Sequence, residues 1–138
     1  MIKTNLFGVI RLTQLASRLM SRQNKGSIIN VSSIVSVKGA AGQASYAATK
    51  GAVNSFTLSA AKELAKNKIR VNAIAPGMVA TERLTKVALE KFSGQIEQIG
   101  FGQMADPNQI ADLCVFLASD ESSYITGQII GIDGSLTL

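Results

Sequence analysis

The 138 residues suffice for one domain with a small core, and 46% hydrophobic against 17% charged residues favours a globular fold over disorder. The net charge of +5 comes from scattered Lys and Arg, which argues against a nucleic-acid reader and leaves a weak preference for anionic partners. Histidine is absent and Cys114 is the one cysteine, which excludes a Ser-His pair, histidine metal ligands and an internal disulfide.

The first half of the chain alternates between predicted helices and strands. Apolar residues recur every three or four positions over 3–24, which predicts a helix, and a β-branched run predicts a strand at 27–31. A loop of small residues is expected at 32–42. An Ala-rich helix at 43–66 and an alternating strand at 69–75 follow.

The second half contributes a predicted helix at 80–98, a helix at 106–119 with an Asp-Pro start signal, and a last strand at 127–133. This order predicts an α/β fold with a parallel sheet, because parallel strands need crossover connections. Three strands are few, and one edge of the sheet would be long and apolar. We therefore expect that part of the sheet is missing on that side.

The strongest chemical signal is the pair Tyr46 and Lys50, which lie on one face of a predicted helix. An ammonium close to a phenol stabilises the phenolate, which makes a tyrosine a usable general acid or base. On spacing alone the pair would more often be an ordinary surface pair. Ser33, thirteen residues before Tyr46, follows a strand, and side chains at strand ends line the ligand crevice of open α/β sheets. Pro76 and Gly77 end the strand predicted at 69–75, and a short loop then places Thr81 at the same edge.

Taken in this order, Ser33, the Y-x-x-x-K spacing and the segment NAIAPGMVAT at 72–81 resemble the short-chain dehydrogenase/reductase family. Asn5 in TNLFGV resembles the family's helix asparagine, and the segment 117–135 resembles its C-terminal helix and last strand. The resemblance covers almost the whole chain. It implies the C-terminal part of a Rossmann-like, doubly wound parallel sheet, here three strands with flanking helices.

The resemblance also implies a catalytic set of Asn5, Ser33, Tyr46 and Lys50, and no metal. Tyr46 would exchange a proton with the substrate oxygen, and Ser33 would hold the carbonyl. Lys50 would support the tyrosine and bind the nicotinamide ribose, while Asn5 would position a water that links Lys50 to solvent. The cofactor, which supplies the hydride, would be held by Tyr46, Lys50, Pro76, Gly77, Val79 and Thr81.

Several of these polar residues also have plainer interpretations. Asn5 could break or cap a helix, and Thr81 could be a helix N-cap, alone or in addition to its cofactor role. Tyr124 is expected to be a packing residue, and Asp133 to finish a turn.

No strand, glycine-rich turn and helix of the kind that binds pyrophosphate opens the chain. We therefore expect residues 1–138 to form a single partial domain, the catalytic half without the glycine-rich cofactor half, from a truncated gene product or an incomplete record. The residue that selects NAD or NADP is missing with it, so both stay open, and the resemblance favours NADP. Whether such a fragment is active alone also stays open.

Within the family, GAAGQASYAATKGAV at 39–53 and the end of the chain resemble 3-oxoacyl-(acyl-carrier-protein) reductases of fatty acid biosynthesis. The arginines with which those enzymes dock the acidic carrier would fall at Asn24 and Asn67. The neighbouring lysines replace them only in part, because lysine and arginine differ in geometry. Two alternatives stay open: a reductase or dehydrogenase of another small carbonyl or hydroxyl substrate, and an inactive truncated assembly module.

The expected partners are a small-molecule or carrier-bound acyl substrate and further copies of the chain, in a dimer or tetramer. The apolar faces of helices 3–24 and 43–66 would pair between subunits, as the resemblance implies. No nucleic-acid or membrane partner is expected. The chain starts without the layout of a signal peptide and has no long apolar run, so the cytoplasm is the expected location.

Overall fold

A computed structural model describes residues 1–82, 84 and 93–138. Within these residues the helices, in chain order, are α1 (Gly8–Gln23), α2 (Val35–Lys38), α3 (Ala44–Leu64), α4 (Ser93–Ile96) and α5 (Pro107–Ala118). A π-helical turn, Lys3–Phe7, leads into α1, and short 3-10 turns cover Ala65–Asn67 and Asp120–Ser122. The strands are β1 (Gly26–Val31), β2 (Ile69–Pro76) and β3 (Ile129–Ile132).

In the described part of the chain the strands form one sheet in the order β1-β2-β3, and both pairings are parallel. The register places Val31 beside Ile74 and Pro76 beside Ile132. The carboxyl ends of all three strands therefore lie at the same end of the sheet, which we call its carboxyl edge. The predicted α/β fold with a parallel sheet is confirmed, and β1 is an outermost strand of this sheet.

Helices cover both faces of the sheet, because side chains alternate between the faces along each strand. On one face, α1 and α3 pack over a core cluster of Ile28, Ala60, Ala61, Ile69 and Val71. On the other face, the Ser27 hydroxyl and the Arg70 guanidinium each donate a hydrogen bond to the Leu117 carbonyl near the end of α5, at 2.7 and 2.8 Å. This arrangement of helices on two faces is that of a doubly wound fold.

The helix that starts at Asp106 is confirmed, and a complete capping box explains why it starts there. The Asp106 carboxylate accepts a hydrogen bond from the Asn108 backbone N–H at 2.7 Å. The Gln109 side chain in turn accepts one from the Asp106 backbone N–H at 2.8 Å, with Pro107 in the first turn. These bonds satisfy backbone donors that have no partner inside the helix.

Two sequence predictions were wrong in part. The expected loop at 32–42 contains α2, a short helix that ends at Gly39 with a positive φ of 77°. The last strand is shorter than 127–133, because Gly127 adopts a φ of 66° and strand geometry begins only at Ile129. Of the helix predicted at 80–98, residues 83 and 85–92 lie outside the described residues, and Ser93–Ile96 is helical.

The outer face of α1 is unusually apolar. Leu12, Leu15 and Leu19 are 68%, 50% and 62% exposed, although they follow the apolar spacing of the sequence. The expected homo-oligomer stays a prediction. Among the described residues, no helix combines the length and the apolar character required to cross a bilayer.

Candidate functional site

Ser33 lies at the carboxyl edge of the sheet because the pairing of β1 with β2 continues beyond the end of β1. The Ser32 backbone N–H donates to the Ile74 carbonyl at 2.8 Å, and the Ile34 N–H donates to the Pro76 carbonyl at 3.0 Å. These two bonds bracket Ser33 and hold its backbone beside the end of β2.

Tyr46 lies in the first turn of α3, close to the strand ends. Its half-buried ring packs against a cluster that includes Ile34, Val35 and Leu136. Tyr46 and Ser33 line the same cavity of about 250 Å³, and Gly77 lines it as well. The structure therefore brings together the predicted tyrosine, the predicted serine and the start of the predicted cofactor loop.

Lys50 lies one turn after Tyr46, with its Nζ 5.8 Å from the centre of the Tyr46 ring. Nζ donates a hydrogen bond of 2.8 Å to the carbonyl of Val31, the last residue of β1. Partial burial lowers the pKa of the Lys50 ammonium, because the charged form loses hydration. The lysine thus connects the tyrosine helix to the end of β1.

The lowered pKa of Lys50 predicts a pH-dependent stability. Below the unfolded-state value of 10.5 and above the lowered folded-state value, the unfolded chain binds more protons than the folded chain. The free energy of unfolding is therefore expected to rise with pH in that window, and the rise should be missing in Lys50→Met. Urea unfolding from about pH 8 to pH 10 measures this. The matched control is Lys62→Met, an exposed lysine on the same helix, which should keep the rise. A wild-type minus Lys50→Met difference that is constant with pH would contradict the prediction.

Asn5 lies within the π-helical turn that continues into α1, so it neither ends nor caps that helix. Its side-chain amide contacts the Thr49 hydroxyl at 3.4 Å, and that hydroxyl donates to the Tyr46 carbonyl at 2.8 Å. Asn5 and Lys50 also line a second cleft, of about 380 Å³, beside β1. The predicted asparagine is therefore a neighbour of the Tyr46–Lys50 helix.

The predicted cofactor loop leaves β2 at Pro76 and is fixed by backbone contacts. Gly77 is required here, since a Cβ atom at this position would lie 2.9 Å from the Asp133 backbone. Farther along, the Val79 backbone forms an isolated parallel bridge with Ala105. The Thr81 hydroxyl accepts a hydrogen bond from the Leu84 N–H at 3.3 Å, as expected for an N-cap.

Sequence reasoning missed two polar residues of the cavity wall, Gln43 and Gln95. Gln43 lies three residues before Tyr46, just ahead of α3, so its place near the tyrosine was a usable local signal. Gln95 comes from α4, and nothing in the sequence indicated its position beside Tyr46.

Two of the plainer predictions have different outcomes. Tyr124 was expected to pack, and this was wrong: the side chain is fully exposed, while the neighbouring Ser122 is only 1% exposed and faces inward. Asp133 does take part in a turn, since its carboxylate accepts a hydrogen bond from the Ser135 N–H at 3.2 Å. It also forms an ion pair of 2.6 Å with Lys38, which ties α2 to the segment after β3.

Comparisons with known proteins show the family to which the chain is related. A family model described as "Enoyl-(Acyl carrier protein) reductase" matches residues 1–137. A 3-oxoacyl-(acyl-carrier-protein) reductase from Thermotoga maritima is 46% identical over 99% of this chain and 56% of the relative, and a human (3R)-3-hydroxyacyl-CoA dehydrogenase is 43% identical over 98% and 52%. A short-chain type dehydrogenase/reductase from Mycobacterium ulcerans superposes with a TM-score of 0.93 at 29% identity, over 97% of this chain and 50% of that one. The chain spans about half the length of the proteins it matches.

Proposed function

Because the chain belongs to the short-chain dehydrogenase/reductase family, we propose that it forms the catalytic part of an oxidoreductase that interconverts a carbonyl group and a secondary alcohol. The observation that carries the proposal is the shared cavity of Ser33, Tyr46 and Gly77. A serine, a tyrosine and a close backbone turn line this space, which can admit the end of a small ligand. The Lys50 Nζ, one helical turn away, lies over the Tyr46 ring, 5.8 Å from its centre.

In the proposed reaction, the Ser33 hydroxyl donates a hydrogen bond to the substrate carbonyl oxygen and orients it. Tyr46 gives its phenolic proton to that oxygen during reduction, and takes one from the alcohol during oxidation. The Lys50 ammonium stabilises the phenolate that remains after reduction, because it carries the opposite charge. Asn5, beside Lys50, helps to return a proton from solvent to the tyrosine.

The side chains at this edge fit the nicotinamide and ribose end of a dinucleotide, which supplies the hydride when bound. An ammonium has three N–H donors, and the Lys50 Nζ uses one of them on Val31 within the described residues. Two donors are left for ribose hydroxyls. We assign the rest of this binding to Tyr46 and to the loop residues Pro76, Gly77, Val79 and Thr81. The cofactor is NADP or NAD, and resemblance favours NADP.

The substrate we propose is a 3-oxoacyl thioester on an acyl carrier protein, as the name of the Thermotoga maritima relative suggests. One observation favours a coenzyme A thioester instead, namely the similarity to the human (3R)-3-hydroxyacyl-CoA dehydrogenase.

The surface near Asn24 bears on this choice between carrier-bound and coenzyme A-bound substrates. Asn24 ends α1 in a left-handed conformation with φ 50°, which asparagine tolerates well, and Lys25 is paired with Asp120 at 3.0 Å. An acidic carrier would have to compete with that exposed pair.

A chimeric protein tests the proposed function. The residues of the Thermotoga maritima relative that precede the matched segment are joined in front of this chain, and NADPH consumption is measured with 3-oxoacyl thioesters. We expect turnover by the chimera, because the relative contributes the part of its length that this chain does not span. For the 138-residue chain by itself we expect no micromolar binding of NADPH in a fluorescence titration, since its sequence carries no pyrophosphate-binding turn.

Two results would contradict these expectations separately. A chimera that is folded by circular dichroism but reduces none of a panel of carbonyl compounds would refute the proposed activity. We expect NADPH binding to require residues outside this chain. Micromolar NADPH binding by the chain alone would refute that expectation. The ratio of kcat/KM for carrier-bound over coenzyme A-bound substrate then decides between the two substrate classes: a ratio well above one favours the carrier-bound substrate, and a ratio well below one favours coenzyme A.

A further inference from the structure

Behind Ser33 lies a polar network that the proposed reaction does not use. The Ser36 hydroxyl, on α2, donates to the Ser33 carbonyl at 2.6 Å. The Asn54 side-chain amide, on α3, donates to the Ser36 oxygen at 2.8 Å. Two bonds in series therefore connect the helix of Tyr46 and Lys50 to the backbone of Ser33.

Ser32 adds a second branch to this network. Its hydroxyl lies 3.0 Å from the Ser36 oxygen and 3.2 Å from the Lys50 carbonyl oxygen, and the residue is 3% exposed. Ser32 and Ser36 have two hydroxyl protons for three contacts. The contacts with the Lys50 and Ser33 carbonyls use both protons, because a carbonyl oxygen only accepts. With its donor on the Ser36 oxygen, Asn54 leaves the Ser36 proton for the Ser33 carbonyl.

Asn54 continues the four-residue spacing of Tyr46 and Lys50 along α3. Asn54 lies four residues after Lys50 and eight after Tyr46, on the same face of the helix. Its Oδ1 atom is buried and has no hydrogen-bond partner in the described part of the chain. Burying an amide oxygen without a partner costs stability, so a leucine would serve a purely structural role at least as well.

We propose that Ser36 and Asn54 are positioning residues that fix the backbone of Ser33, and thereby its hydroxyl, relative to Tyr46 and Lys50. Besides the Ser36 backbone N–H, which donates to the Ser33 carbonyl at 3.0 Å, two fixed points hold the turn around Ser33. One is the sheet, through the backbone bonds of Ser32 and Ile34, and the other is α3, through Ser36 and Asn54. Loss of the second point lets the Ser33 hydroxyl move away from the position where it meets a carbonyl oxygen. The part of the proposal that concerns turnover rests on the proposed function; the part that concerns the backbone of Ser33 does not.

The variants are chosen to distinguish the effect of side-chain shape from the effect of hydrogen bonding. Asn54→Asp keeps the shape, but an ionised carboxylate only accepts hydrogen bonds and draws the Ser36 proton away from Ser33. Ser36→Ala removes the hydroxyl, and Ser36→Thr keeps it. Ser59→Ala, an exposed serine on the same helix, is the matched control.

The first measurement is nuclear magnetic resonance on the full 138-residue chain. We expect the carbonyl carbon signal of Ser33 to shift in Ser36→Ala and Asn54→Asp, to return toward wild type in Ser36→Thr, and to stay unchanged in Ser59→Ala. An unchanged Ser33 signal in a folded Ser36→Ala variant overturns the proposal.

The second measurement is the kinetics of the same variants in the chimera. We expect kcat to fall on the order of tenfold in Ser36→Ala and Asn54→Asp with KM unchanged, because a misplaced hydroxyl affects the transition state more than binding. Recovery of kcat in Ser36→Thr supports the proposal. A loss of thermal stability with wild-type kcat overturns it. A wild-type chimera without activity counts against the proposed function. In that case the Ser33 carbonyl signal is the measurement that tests the positioning role of Ser36 and Asn54.

Discussion

Replacing Tyr46 with Phe is expected to lower kcat for carbonyl reduction by a factor of about 1,000, with little change in stability. The substitution removes the phenolic proton that the substrate oxygen receives, and it keeps the ring that packs against Ile34, Val35 and Leu136. Substrate binding depends on the cavity wall and should be almost unchanged. The measurement is steady-state kinetics of the chimera, with thermal unfolding of the same preparation.

The chain offers a matched control for this substitution. Its other tyrosine, Tyr124, is fully exposed, so Tyr124→Phe removes the same hydroxyl from a position outside the cavity. We expect wild-type kcat and KM for that variant. If Tyr46→Phe retained more than about a tenth of the wild-type kcat, general acid catalysis by this phenol would be ruled out.

Replacing Asn72 with Leu is expected to lower the free energy of unfolding by about 3 kcal/mol. Asn72 is completely buried in the central strand β2. Its side-chain amide donates to the Ile125 carbonyl at 2.9 Å, and its Oδ1 accepts from the Gln128 N–H at 3.0 Å. Leucine has the same branching and number of heavy atoms, and it satisfies neither group. The Ile125 carbonyl and the Gln128 N–H, each in a partly buried hydrogen bond, then lose this partner, at a cost of about 1–3 kcal/mol each.

Urea unfolding of the chain measures this loss. The control is Asn108→Ala on the exposed side of α5, which should change the free energy of unfolding by less than about 0.5 kcal/mol. Since Asn72 connects β2 to the segment that enters β3, the loss should also weaken the edge where Gly77 contacts Asp133. A stability of Asn72→Leu equal to that of Asn108→Ala would show that these two hydrogen bonds contribute nothing.

Where local rules dominate, the sequence was sufficient. The helix start at Asp106 and Pro107 and the helical spacing of Tyr46 and Lys50 involve groups within four residues of each other, so propensity and periodicity determine them. The parallel sheet followed from the alternation of helices and strands. The shared cavity of Ser33 and Tyr46 agrees with the expectation that strand ends line the crevice.

The misses have a common cause as well. The α2 helix is stabilised by the Ser36 hydroxyl bond to Ser33 and by the Lys38 ion pair with Asp133, a residue 95 positions away. Loop composition gives no sign of such a partner. The prediction for Tyr124 was wrong because only one side chain of this surface turn points into the core. That side chain belongs to Ser122.

The sequence by itself therefore determined the order and type of most elements and the identity of Tyr46, Lys50 and Ser33 as candidates. Only the tertiary structure decided that Gln95 faces the same cavity and that Asn54 reaches Ser33 through Ser36. The physical reason is range. Helix spacing and caps are set by neighbours within about four residues, whereas contacts between distant segments depend on strand register and on how each connection closes.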